Sequence, residues 1–412
     1  MTQICVFEDV QIKNLEPLTL TRPVYLLRLG IKDLLSKILD FIPAEFSICL
    51  HSRQEVAHAL EVYKYPVNKL GVDDVLFING RLLIQDAEAA QLCLKSKKEF
   101  LITYNNVPLV ARISAKALKG FKFPDLFDKK TFKAFNLEEK EINLATMNYF
   151  WDFLYANAQE INLDARKTGL LGKHNSPFNL GHMVNCHDVF IGKDVVIRPG
   201  VILDASTGPI FIDNGVEIMS NTVIMGPAYL GFKTKIKIGA KLYGPVSIGP
   251  VCKVGGEVEG SIIQGYSNKQ HEGFLGHAYL GEWVNLGAGT ENSDLKNNYH
   301  SVDVEIRAGE IVKSQQTFVG CCIGDHTKTG IKTMINTGSV FGCFSNVFGP
   351  GYQPKFVESF IWQDSAAKKP LPHDVGKALQ TAKVVLGRRG LQMSAVQEKL
   401  YKKLATAIVG KN

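Results

Sequence analysis

The chain has 412 residues, 45% of them hydrophobic and 21% charged, with a net charge of +7. That balance excludes a disordered or collagen-like chain and allows two or three domains, each with a sizeable core. No stretch approaches the ~20 apolar residues of a membrane span, and the opening MTQICVFEDVQIKNLEP lacks a basic segment followed by an apolar run, so a cytoplasmic protein without a membrane span is expected.

Residues 1–125 alternate apolar strand text (ICVF, FSICL, DDVLFING) with a helical stretch, LLRLGIKDLLSKIL, which predicts an α/β domain with a partly parallel sheet. Residues 126–181 read as a linker. Its segment 142–160, INLATMNYFWDFLYANAQE, predicts an amphipathic helix that packs Tyr149, Phe150, Phe153 and Leu154 on a neighbour.

From residue 182 to 353 one kind of side chain returns every sixth place. Ile212, Ile218, Ile224, Leu230, Ile236, Leu242, Ile248 and Val254 form an unbroken series; Ile191, Ile197 and Leu203 precede it, and Ile311, Thr317, Ile323, Thr329, Ile335, Phe341 and Val347 follow. A strand in a sandwich alternates with a period of two, so a period of six predicts a solenoid, a prism-like parallel β-helix. Glycine follows the aliphatic position at Gly192, Gly231, Gly249, Gly255, Gly324 and Gly342, where a tight corner with unusual backbone angles is expected. Gly256–Tyr279 does not keep the six-residue register and reads as an insertion, the kind of excursion that carries sites.

Residues 354–412 predict two helices broken near Gly387–Gly390 that cover the coil. Residues 366–412 hold ten Lys/Arg against Asp374 and Glu398, so the rest of the chain is about neutral. A solvated helix face, not a nucleic-acid surface, is the expectation for this basic tail. The cysteines, Cys5, Cys49, Cys93, Cys186, Cys252, Cys321, Cys322 and Cys343, include no C-x-x-C pair and are expected as reduced thiols. His182, Cys186 and His187 lack a fourth ligand, so no metal site is assigned to them.

The text richest in chemistry is SNKQHEGFLGHAYLGEWVNLGAGTENSDLKNNYHSV, residues 267–302. Gly276-His277-Ala278-Tyr279-Leu280-Gly281, then Val284-Asn285-Leu286-Gly287-Ala288-Gly289-Thr290 and the loop residues Asn292 and Asn297, resemble the acetyltransferase half of bacterial bifunctional N-acetylglucosamine-1-phosphate uridylyltransferases. One residue is absent between His277 and Tyr279 relative to that pattern, and a hexapeptide between Gly281 and Asn285. The stretch GGEVEGSIIQ holds no counterpart of the family's phosphate-contacting lysine. The resemblance implies a trimeric left-handed parallel β-helix, acetyl-CoA as co-substrate between neighbouring subunits, and His277 as general base. An imidazole titrates near ~6.5 and can take a proton from an amine or hydroxyl at neutral pH. Tyr279, Asn285, Asn292 and Asn297 are then expected to orient the acceptor, and Lys328 and Lys332 to meet CoA phosphates.

The segment Leu15-Glu16-Pro17-Leu18-Thr19-Leu20-Thr21-Arg22-Pro23-Val24 resembles the second half of the sugar-phosphate nucleotidylyltransferase signature. The glycine-rich half is replaced by Gln11-Ile12-Lys13-Asn14, the phosphate lysine by Val24, and the metal-binding Asn-Gly-Asp by Asn79-Gly80-Arg81. Those losses remove charge neutralisation from a phosphoryl-transfer reaction and the carboxylate that would hold Mg²⁺. Arg22, Arg28 and Arg81 are the candidates left for nucleotide contact, in a domain expected to be degenerate. The leading expectation is an acetyl-CoA-dependent transferase acting on an amino sugar or sugar phosphate, assembled as a homotrimer. The alternatives are a sugar-1-phosphate nucleotidyltransferase working through the first domain, and a non-enzymatic trimeric scaffold or sensor.

Overall fold

The computed structural model describes residues 2–84, 94 and 98–409, so Cys93 lies outside the described residues. The chain divides into two compact units, Met1–Leu15, Thr19–Leu27 and Lys32–Tyr149 forming one, and Glu16–Leu18, Arg28–Ile31 and Phe150–Asn412 the other.

The first unit is built on a mixed sheet of β1 (Thr2–Phe7), β2 (Ser47–Leu50), β3 (Asp74–Asn79), β4 (Phe100–Tyr104), β5 (Val107–Ile113) and β6 (Glu138–Glu141), in the order β2-β1-β3-β5-β4-β6. β1 pairs in parallel with β2 and β3. Its central strands are near-continuous hydrophobic runs because both faces are covered. On one face Phe7, Phe77, Phe127 and Phe132 pack ring on ring, with centroids 4.7 Å apart for Phe7 and Phe127. β6 pairs with β4, so the unit continues to Tyr149, past the boundary expected at residue 125. The helix expected across Leu26–Leu39 shortens to Leu34–Leu39, with Asp33 accepting from the Ser36 N–H as its cap. Gly30 explains the interruption: it holds φ +68°, and a Cβ there would meet the Glu160 backbone and the Asp164 carboxylate.

In the second unit α1 (Phe150–Lys167) starts later than the 142–160 expected from the sequence. Phe150, Phe153 and Leu154 are buried, and Phe153 stands edge-on to Tyr279 of the coil at 5.6 Å. Asn157 ties the helix down, accepting from the Ser247 hydroxyl at 2.8 Å and the Gly30 N–H at 3.0 Å. This segment is thus part of the coil's own packing.

The coil is a parallel β-solenoid whose three faces are walked in turn. Ile212, Leu230 and Ile248 are direct register partners, one full turn of three hexapeptides apart. One face carries nine strands from Val189–Ile191 to Phe356–Val357. All eight residues of the unbroken series are buried in a single core, joined by Ile323, Ile335, Phe341 and Val347. Two expectations fail here. Ile311 is 67% exposed, and Thr317 is outside that core, because Asp303–Arg307 and Glu310–Lys313 form an antiparallel hairpin that leaves the coil. Conversely, Gly256–Tyr279 is not an excursion. Its strands stay paired in the coil, with Ile248 opposite Ile263 and Ile263 opposite Leu280, so these turns are merely shorter than eighteen residues. The true excursion falls where Tyr279 pairs directly with Cys322.

The corner glycines also work differently from the expectation. None of Gly192, Gly231, Gly249, Gly255, Gly324 and Gly342 adopts a left-handed φ. They are needed because stacked turns approach closely: a Cβ on Gly249 would run into the Gln264 carbonyl. The left-handed corners are held by Lys233, Val251, Tyr266, Trp283, His326, Phe344 and Phe360, with φ between 53° and 60° for all but Trp283 at 63°. From Tyr266 onward these side chains stack: Tyr266 on Trp283 at 4.5 Å, His326 on Phe344 at 4.4 Å, Phe344 on Phe360 at 4.8 Å. Ring contact repays part of the strain of a left-handed non-glycine residue.

The coil continues past residue 353, since Ile361–Asp364 pairs with Asn346–Phe348. It is followed by α2 (Val375–Gly387) and α3 (Ala395–Val409), the two helices expected. Glu398 bonds Lys383 at 2.7 Å and Lys402 at 2.8 Å, and Tyr401 packs edge-on against Phe344 at 4.7 Å. Among the described residues no helix is long and apolar enough to cross a membrane.

Candidate functional site

His277 occupies a corner of the coil with φ 42°. Its backbone is held on both sides, the N–H donating to the Glu259 carbonyl at 3.0 Å and the C=O accepting from the Gly320 N–H at 2.9 Å. The imidazole lies over Gly260, where an added Cβ would sit 2.8 Å from Nε2, and stacks on Phe318 at 5.2 Å. Nδ1 is 2.8 Å from Asp294 Oδ2 in a pair only 20% and 13% exposed. A carboxylate on Nδ1 favours the proton there and leaves Nε2 as the basic lone pair. Tyr155 closes the same edge, its hydroxyl donating to the Phe318 carbonyl at 3.2 Å.

The expected acceptor-binding residues do not gather around this imidazole as substrate contacts. Tyr279 is fully buried, and its hydroxyl lies 2.9 Å from both the Arg28 carbonyl and Gln264 Oε1, so it cannot face a ligand. Asn292 is also buried. Its carboxamide accepts from the Gly276 N–H at 2.9 Å and donates to the Gly276 carbonyl at 2.8 Å, acting as a substitute rung where the shortened turn lacks a backbone partner. Asn285 is half-buried in an outward ladder with Asn268, whose Nδ2 is 3.3 Å from its Oδ1. Asn297 is exposed and lines a cavity of about 370 Å³ with Ser293, Lys296, Asn336 and Tyr352. The loop that reaches this cavity begins beside Asp294, the residue that sequence reasoning missed. Its signal was a carboxylate inside the Asn-rich loop; Phe318 and Tyr155 gave none.

Lys328 and Lys332 are also separated. Lys332 is exposed at a corner with φ 56°. Lys328 lies on the floor of a cavity of about 600 Å³ under α2, its Nζ donating to the His326 carbonyl at 2.9 Å, and burial lowers its pKa from 10.5 to about 8.

The three arginines proposed for nucleotide contact have other work. Arg81 is fully buried: Nε and Nη2 bond the two Asp9 oxygens at 2.8 and 2.6 Å, and Nη1 reaches the Met147 carbonyl at 3.1 Å. Asn79 Nδ2 bonds Asp9 as well, at 2.9 Å. The arginine that stands in the metal-binding motif is therefore neutralised within the protein. Arg28 belongs to the second unit, donating to Gln264 and the Ile31 carbonyl with its guanidinium 5.3 Å over the Tyr229 ring. Arg22 is buried, and its carbonyl accepts from Arg53 at 3.2 Å. Val24, in the lysine's place, is buried and donates its N–H to Glu8 at 2.9 Å. No group of His, Cys, Asp or Glu able to hold a metal occurs among the described residues.

Residues 4–169 match the sugar nucleotidyl transferase family. A bifunctional sugar-1-phosphate nucleotidylyltransferase/acetyltransferase of Sulfurisphaera tokodaii is 32% identical over 160 residues, covering 35% of this chain and 36% of that protein. The bifunctional protein GlmU of Synechococcus elongatus is 30% identical over 164 residues, 36% of this chain and 32% of the relative. The matches thus span about a third of these relatives' length. A solved structure of an Arabidopsis UDP-N-acetylglucosamine acyltransferase aligns with TM-score 0.27 and 12% identity over 52% of this chain and 76% of that one. The first unit is accordingly nucleotidyltransferase-like.

Two stability measurements test Arg81 and Lys328. Arg81→Ala leaves Asp9 as an uncompensated buried charge and is expected to cost about 3–5 kcal/mol in denaturant unfolding; a loss below about 1 kcal/mol contradicts the ion pair's role. Lys328→Met removes a desolvated ammonium. Because the folded pKa of Lys328 is below its unfolded value, the unfolded chain binds more protons between about pH 8 and 10.5, and wild-type stability gains from rising pH across that window. The Met variant is therefore expected to be more stable than wild type by about 1–3 kcal/mol at pH 7, with the advantage fading towards pH 10.5. An advantage independent of pH contradicts this assignment.

Proposed function

We propose that the coil is an acetyl-CoA-dependent acyltransferase acting on an amino sugar or sugar phosphate, with His277 as general base and Asp294 as its positioning residue. The observation that carries this reading is the 2.8 Å His277–Asp294 pair at a restrained corner, with a ring face on Phe318 and Gly260 beneath it. The relatives named as sugar-1-phosphate nucleotidylyltransferase/acetyltransferase support the same class. Nε2 takes the proton of the attacking amine or hydroxyl as it bonds to the thioester carbonyl, the imidazolium that forms is stabilised by the Asp294 carboxylate, and the proton leaves with the CoA thiolate. Coil N–H groups are the donors available for the developing oxyanion.

The nucleotidyltransferase-like unit serves, in this reading, as a binding or scaffolding domain. Its Asn79-Gly80-Arg81 motif offers a neutralised guanidinium where nucleotidyl transfer needs a metal-binding carboxylate. Acetyl-CoA is the co-substrate, Asn79-Gly80-Arg81 lacks the carboxylate that would hold Mg²⁺, and a cytoplasmic location suits such substrates. Homotrimer formation is supported by one apolar strip on the coil, where Ile202, Val223, Met225 and the 37%-exposed Tyr243 sit on neighbouring strands of one face.

In an assay of acetyl transfer from acetyl-CoA to glucosamine 1-phosphate, His277→Ala is expected to lower kcat by ~10²–10⁴, and Asp294→Asn by about tenfold or more with KM little changed. Wild-type activity in His277→Ala would remove the general base from this mechanism. Light scattering is expected to give three times the chain mass, and Tyr243→Glu to return it to one; a wild-type monomer contradicts the trimer.

A further inference from the structure

The cavity of about 600 Å³ beneath α2 is a different place from the His277 corner. Its floor is the outward ladder of the coil, Lys328, Asn346 and Trp362, which lie on three successive paired strands. Its wall and rim come from His373 and from Asp374 and Lys377 at the start of α2. His277, Asp294 and Lys332 are not among its lining residues.

Lys328 is what makes the cavity unusual. The ammonium has three donors. One is used by the His326 carbonyl at 2.9 Å, and no carboxylate pairs with it among the described residues. Burial alone accounts for its lowered pKa, with no nearby charge contributing. Lys328 is half-buried, and a desolvated cation without a counter-ion costs stability that an aliphatic side chain in a purely structural position would not. Asp374 does not supply the counter-charge, because it is turned to the helix end, where Oδ1 accepts from the Lys377 N–H at 2.8 Å. Lys377 adds a second cation on the rim. The missing charge is one that a ligand can bring.

The rest of the lining suits a flat ring. Trp362 is 44% exposed, and its centroid lies 5.6 Å from that of His373. His373 is itself fixed by Phe344 and Asn346, with Nδ1 2.8 Å from the Phe344 carbonyl and Asn346 Nδ2 at 3.2 Å. Ring faces held in this way are stacking platforms for a base, and the volume falls in the range of small-molecule sites.

We propose that this cavity binds a nucleoside phosphate, with the phosphate on Lys328 and Lys377 and the base against Trp362. The site is independent of acetyl transfer at His277. Its ligand is a free mononucleotide, distinct from the acetyl-CoA of the proposed reaction.

Calorimetric titration of the full-length protein with AMP, UMP and inorganic phosphate tests the proposal. At least one of the two nucleotides is expected to saturate at submillimolar concentration and to bind more tightly than phosphate. Lys328→Met should weaken it about tenfold or more while melting no lower than wild type, Trp362→Ala should weaken the nucleotide but not phosphate, and His277→Ala should bind as wild type. Nucleotide binding undisturbed by acetyl-CoA supports the proposal; displacement by acetyl-CoA overturns it, because the cavity is then the donor's own subsite. The proposal is overturned if neither nucleotide saturates by millimolar concentration, if phosphate binds as tightly as both, or if the Lys328→Met affinity equals wild type. Loss of acetyl transfer in His277→Ala with nucleotide binding intact separates this site from the proposed reaction, whichever of the two fails.

Discussion

Each turn of the coil must present its backbone rungs to the next turn at strand spacing, ~4.8 Å away, and this demand shapes the second unit. Inside, it leaves room for one side chain per strand, which is why Ile212, Leu230 and Ile248 stack in one column. At Gly249 it forbids a Cβ, because the next turn's carbonyl is already there. At the left-handed corners it tolerates Tyr266, Trp283 and Phe344, since rings stacked up the coil gain contact that an isolated turn lacks. Where a turn is shortened, the rungs still have to be made, and at Gly276 the Asn292 carboxamide makes them.

The His277 corner is a consequence of that irregularity. The loop leaving the coil after Asn292 brings Asp294 to Nδ1, and its return past Phe318 supplies the ring that faces the imidazole. A regular hexapeptide turn would provide neither. His277 therefore lies where the register is broken, and Asn292 nearby in sequence helps hold the break together.

The fully buried Arg81 and the half-buried Lys328 show opposite solutions to one electrostatic problem. Arg81 carries its counter-ion with it, both Asp9 oxygens bonded and the pair closed off from solvent. The planar guanidinium suits that bidentate geometry, and the result is a structural tie. Lys328 has only a carbonyl, and desolvation pulls its pKa down to about 8. The first arrangement is closed within the protein; the second leaves the ammonium without a carboxylate partner among the described residues.

The sequence by itself determined the solenoid, its inward column from Ile212 to Val254, the two C-terminal helices and the candidate His277, because a six-residue period and a residue motif are local and survive without coordinates. It misplaced the excursion and admitted Ile311 to the coil, since a shortened turn and an inserted hairpin both look like lost register until strand pairing is known. Only the tertiary structure decided that Tyr279 and Asn292 are internal supports, that Asp294 orients His277, and that Lys328 and Trp362 share a cavity. Those facts depend on which turn lies beside which, and residues such as Asn268, Asn285 and Lys328 are neighbours only across the stack. Arg81 was legible as a departure from a motif, but its meaning required Asp9, far along the chain on another strand's end, to appear against it.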